Sequence, residues 1–94
     1  MKITNRKRVE DCFDGSLVFE YYFEEPWCKN LIMSLSKIGK LHYFGDFPRP
    51  FFRMLHKGGL HIKGVEGQNK CRIVFPLQEV EKQMNALDRF FSTL

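Results

Sequence analysis

Apolar and polar positions alternate over several short stretches of this chain and recur at helical spacing over two others. Leu17 to Phe23 is rich in aromatic and β-branched residues. As a strand it places Leu17, Phe19, Tyr21 and Phe23 on one face and Val18, Glu20 and Tyr22 on the other. Leu41 to Phe44, Phe51 to His56, Leu60 to Val65 and Cys71 to Phe75 also predict strands. A further short strand, Val9 to Phe13, precedes the turn pair Asp14-Gly15. Between strands, Glu24-Glu25-Pro26 predicts a helix start, with acids at the positive end of the dipole and Pro where no N–H is needed. Trp27, Leu31, Leu35 and Ile38 then follow at helical spacing, and Gly39 ends the helix. After Pro76, a second helix carries Leu77, Val80, Met84, Leu87, Phe91 and Leu94 on one stripe. The stripe is heptad-like, but a helix closing a small domain is expected to pack on a sheet rather than in a coiled coil.

One-sided stripes on two helices need a sheet to cover, so the expected fold is α+β. It is a two-layer sandwich, with a mostly antiparallel sheet of four or five strands covered on one face by two helices, in the order (β)βαββββα. The nearest superfold by analogy is a ferredoxin-like plait. The match is loose, because such a plait closes with a strand after its second helix and this chain closes with the helix. Residues 1–8 are polar and basic without periodicity, which predicts a flexible basic tail ahead of a single domain over 9–94.

The strand register decides which side chains the sheet leaves open. With Gly58-Gly59 as the central pair of a two-residue turn, His56 opposes His61 and Leu55 opposes Ile62. Leu55, Leu60 and Ile62 then join Cys71, Ile73 and Phe75 on the core side. The opposite face carries Phe52, Met54, His56, His61, Lys63, Val65, Arg72 and Val74, bulky apolar groups beside cationic ones. An exposed face of that kind is large for a lone soluble protein. The first expectation is therefore association through it, as a homodimer or with a protein partner, centred on Phe52, Met54, His56, His61, Lys63 and Arg72.

Composition and charge add alternatives. The chain has 94 residues, 15 Lys and Arg, 11 Asp and Glu, and 10 Phe. Lys2, Arg6, Lys7 and Arg8 account for the whole net charge of +4. The remainder is polarised, since residues 9–25 hold only acids and residues 40–75 mostly bases. Aromatics with Arg and Lys on an open sheet suit nucleic acid, with Arg6, Lys7 and Arg8 of the tail as additional contacts. No RNA-recognition signature is present, however; Lys40-Leu-His-Tyr-Phe-Gly45 comes nearest. Opposed His56 and His61, with His42 nearby, are a third possibility as metal ligands, although exposed histidines at a hairpin tip are the commoner case. Arg49, between Pro48 and Pro50, marks a stiff loop able to present a cation or simply to connect two strands.

Chemistry-bearing motifs are missing. There is no phosphate loop, nucleophile elbow, dinucleotide fingerprint or His-Glu-x-x-His helix, so an enzyme is not the expectation and no cofactor is implied. Cys12, Cys28 and Cys71 are odd in number and lack metal-ligand spacing, and the N-terminal region has no apolar signal segment. A cytoplasmic location without membrane insertion is expected.

Overall fold

The computed structural model describes residues 1–9 and 17–94. The predicted Val9–Phe13 strand past its first residue, the Asp14-Gly15 turn and Cys12 lie outside the described residues. The chain forms β1 (Ile3–Val9), β2 (Leu17–Phe23), α1 (Lys29–Ser34) continued by a 3-10 turn (Leu35–Lys37), β3 (Gly39–Phe44), β4 (Phe51–His56), β5 (His61–Val65), β6 (Lys70–Phe75) and α2 (Val80–Ser92). It is an α+β fold built on one six-stranded sheet in the order β1-β2-β6-β5-β4-β3, with every neighbouring pair antiparallel. The segment holding α1 crosses from β2 to the far edge. The hairpins β3-β4-β5-β6 then walk back until β6 pairs with β2. The plait analogy does not extend to this order, and the strand count exceeds the four or five expected.

The additional strand is the basic segment expected to be a tail. Ile3–Val9 pairs with β2 along its length, with a bulge near Thr4. Its pattern had no legible periodicity because an edge strand exposes polar residues on both sides. Arg6, on the same side as Tyr21, places its guanidinium 5.2 Å from the centre of that ring and 2.6 Å from the Asp88 carboxylate of α2. β1 is thereby tied to the helix as well as to the sheet. Met1 extends the same seam, its ammonium donating to the carbonyls of Phe91 and Leu94 at the negative end of α2.

Both helices contribute to one core with a single face of the sheet. Tyr21, Phe23, Phe52, Met54, Ile62, Cys71, Ile73 and Phe75 are buried together with Trp27, Ile32, Leu35, Leu87 and Phe91. Aromatic contacts dominate its centre: Trp27 lies 4.8 Å from Phe52, and Phe23 lies 5.1 Å from Phe91, ring centre to ring centre. Trp27 is not on the helix, as its spacing had predicted. Its N–H donates to Gln68 and its carbonyl accepts from Gly67, so this stretch stays extended against the β5–β6 turn and α1 begins only at Lys29. α2 also starts late. Glu79 adopts a left-handed conformation at its N-cap, leaving Leu77 exposed and outside the stripe. Gly39 directly follows Ile38, the C-cap of the 3-10 turn, so the helical segment ends where expected. The same glycine opens β3, where a side chain would collide with Met54 and the Leu55 carbonyl.

Candidate functional site

The β4–β5 hairpin sets the composition of the uncovered face. Its loop has three residues, Lys57-Gly58-Gly59, and not the expected Gly-Gly pair. His56 accepts from the Gly59 N–H and donates its own N–H to Leu60, while Gly59 takes the positive φ of 94° that closes such a loop. Leu55 consequently opposes His61 and Met54 opposes Ile62. Relative to the expected register, β4 is shifted by one residue, which exchanges its faces.

This shift corrects the predicted surface. Phe52 and Met54 are buried in the core and do not line the open face. His56 is on the helix-covered side and accepts from the Gly58 N–H at its own Nδ1, so it does not oppose His61. The proposed histidine pair therefore does not form. His42 and His61 do share the open face, on strands separated by β4. Among the described residues, no three His, Cys, Asp or Glu side chains gather into a metal-binding group. His61, Lys63 and Arg72 are on the open face as expected. Of the three tail residues expected to contact nucleic acid, Arg6 and Arg8 point to the helix side and only Lys7 to the open face.

In place of Phe52 and Met54, β4 brings Phe51, Arg53 and Leu55 to the open face. Sequence reasoning missed these residues, although β4 itself held the signal. Phe52 and Met54 form an apolar pair two apart, whereas the register chosen from the turn would have buried Arg53. The ladders then define two parallel rows across the sheet. One row reads Lys7, Glu20, Arg72, Lys63, Arg53 and His42, each directly opposite the next. The neighbouring row, two residues along each strand, contains Asn5, Tyr22, Lys70, Val65, Phe51 and Phe44.

Glu20 is the one carboxylate in these rows, and its neighbours occupy it. It lies 3.5 Å from the Arg72 guanidinium and 4.0 Å from the Lys70 ammonium, and it accepts from the Tyr22 hydroxyl at 3.2 Å. That hydrogen bond to a carboxylate raises the Tyr22 pKa. Arg53 and Lys63 make no ion pair among the described residues. At the far end of the second row, Phe44 and Phe51 stack with centres 4.6 Å apart and planes 18° from parallel. Phe47 leans on Phe51 at 5.1 Å and is 52% exposed. Between the stack and the cations lies a concave site of about 480 Å³, bordered by Phe44, Phe51, Val65, Arg53, Lys63 and Arg72.

The floor of this site depends on Gly64. A Cβ there would lie 2.5 Å from Cζ of Phe52, whose ring fills the missing side chain from the core side. Arg49 is exposed in the connection that carries Phe47, outside the border of the concavity. Cys71 faces the core opposite Gly64, and burial pushes its thiol far above the ordinary range. It lies on the other side of the sheet from His61, so the two form no nucleophile–base pair. No helix among the described residues is long and apolar enough to cross a membrane. The sequence matches no family model, and no curated protein or solved structure is detectably similar to it, so the surface itself is the guide to what the chain binds.

Proposed function

We propose that this protein is a non-enzymatic interaction module whose open sheet face engages an anionic polymer, with nucleic acid as the partner. One observation carries this reading: Arg53, Lys63 and Arg72 are directly opposed on three adjacent strands beside an exposed stack of phenylalanines. Like charges in direct cross-strand opposition destabilise a sheet. Phosphates remove that repulsion, and the aromatic rings offer faces to bases. Face-to-face self-association would bring these cations against their own copies, so an anionic partner fits better than a second copy on this surface. The unpaired thiols of Cys28 and Cys71 suit a reducing compartment, which supports a cytoplasmic location.

Fluorescence anisotropy with labelled oligonucleotides at increasing salt tests the reading. Binding should weaken linearly on a log–log plot as phosphate contacts release counterions. No binding at low salt, or binding indifferent to salt, would remove nucleic acid as the partner.

Homodimerisation has separate support, at an edge instead of a face. β3 ends the sheet without a bulge or proline, whereas the opposite edge strand, β1, carries a bulge and the run Arg6-Lys7-Arg8. Bulges and edge charges discourage strand addition, and β3 lacks the first and has only Lys40 of the second. Light scattering over a concentration series tests this second reading, and a strict monomer at high concentration ends it.

A further inference from the structure

We propose that the open face selects single strands over duplexes, with the strand running across the β-strands, its phosphates on the cation row and a base stacked at Phe51. This inference rests on the nucleic-acid reading above and adds the form of the ligand and its direction. The juxtaposition that supports it is the pair of parallel rows. Arg53, Lys63 and Arg72 occupy one line and the stacked Phe51 and Phe44 the next, two residues or about 6.8 Å along each strand, with Lys70 farther along the second line. A nucleic-acid strand has the same division, with charge along its backbone and flat apolar faces to one side. Backbone along Arg53, Lys63 and Arg72 therefore directs bases towards Phe51.

Spacing sets the length of the contact. Neighbouring strands are about 4.8 Å apart, so Arg53 to Arg72 covers roughly 10 Å at the level of the main chain. Two or three phosphates can be reached from that span by long, flexible side chains. Beyond Arg72 the row meets Glu20, the acidic end of the path, already engaged by Arg72, Lys70 and Tyr22. The contact is thus short, and it ends at the concavity beside Phe51.

Duplex is disfavoured for a geometric reason. A base inside a helix has both faces covered by its neighbours, so only an unpaired base can present one to a protein ring. Phe51 is 36% exposed and braced by Phe44 and Phe47, which holds the ring in place before any ligand arrives. The site of about 480 Å³ has the size of a small-molecule pocket and not that of a groove for a double helix.

The test compares a labelled oligothymidylate, the same length of abasic strand and a hairpin duplex, on the wild-type protein and on Phe51→Ala. The thymidylate should bind at least tenfold more tightly than the other two. Phe51→Ala should lose about five- to hundredfold in affinity for thymidylate, the range for one lost stacking contact, with its salt slope unchanged. Arg53→Ala and Lys63→Ala should each reduce the slope by about 0.7, the single-strand value per phosphate. Equal binding of abasic and thymidylate strands by the wild-type protein would overturn the inference without reference to any variant's folding. Equal binding of duplex would overturn it too, while leaving the nucleic-acid reading in place. Failure of every oligonucleotide to bind would defeat both.

Discussion

The two faces of this sheet are built by alternate residues of the same strands, yet they have opposite chemistry. On the covered face, Tyr21, Phe23, Phe52 and Phe75 interlock with Trp27 and Phe91, and the buried residues there are all apolar or aromatic. On the open face, Arg53, Lys63 and Arg72 stand in line, with no acidic partner for the first two among the described residues. Burial is energetically favourable on the first face and repulsion unfavourable on the second. The fold is therefore held from one side. The other side is free to keep an arrangement that packing alone would not select, which is the usual mark of a surface with a task.

Neighbouring phenylalanines give the strongest way to break this comparison. Phe52→Ala should cost about 3–5 kcal/mol, because it removes a buried ring and leaves a cavity beneath Gly64. Phe51→Ala should cost about 1 kcal/mol or less, the scale of an exposed aromatic contact. Chemical denaturation of the two variants measures both, and equal losses would mean the faces are not divided as described.

Gly64→Ala follows in size. The new methyl meets the Phe52 ring, and such overpacking costs about 1–3 kcal/mol. Because the same glycine floors the open concavity, oligonucleotide affinity and melting temperature should fall together in this variant. Loss of neither would show that the ring can move aside.

Lys63→Glu should separate the two properties. It places an acid between Arg53 and Arg72 and turns two repulsive pairs into attractive ones, a gain of roughly 0.2–1 kcal/mol. Thermal melts should show the variant to be at least as stable as the wild type, while anisotropy shows weaker oligonucleotide binding. Added salt should also stabilise the wild type more than the variant, since screening relieves the repulsion that the variant lacks. A less stable Lys63→Glu protein would contradict the description of the row as strained.

The smallest expected effect lies on the covered face, at Tyr21. Its hydroxyl is buried without a hydrogen bond of good geometry among the described residues, with Arg6 and Asp88 close by. Burial first, and the charge of Asp88 second, push its pKa up from 10.0 to about 12. Between those values the folded protein keeps a proton that the unfolded chain has released. The associated stability is complete below pH 10 and is lost as pH rises towards 12. Tyr21→Phe should flatten that alkaline loss and change stability at neutral pH by less than about 1 kcal/mol. Melting temperature as a function of pH is the measurement, and an unchanged alkaline slope would place the linked proton elsewhere.

Much of the fold was legible because burial on one side imposes a period. Leu17 to Phe23 alternates strictly enough to identify β2 and its buried face, and the stripe from Val80 to Leu94 located α2. The segment over Ile3–Val9 had no such signal. It is an edge strand whose polar side chains are mostly exposed on both sides, and it becomes legible only when Arg6 is seen between Tyr21 and Asp88. The candidate site was half legible. His61, Lys63 and Arg72 could be assigned from the alternation of β5 and β6, but β4 was turned over by a loop one residue longer than its glycines suggested.

The sequence by itself determined the α+β class, the strands from β2 onwards, the stripe of the last helix and the strongly basic character of residues 40–75. Each of these follows from local spacing, which a side chain's chemistry sets without reference to distant residues. Tertiary structure alone decided that six strands form one sheet with β6 beside β2, that Trp27 leaves its helix for the core, and that Arg53 and Phe51 belong to the open face. Those outcomes depend on register and long-range pairing. A shift of one residue there leaves every local propensity unchanged and reverses which side chains meet the solvent.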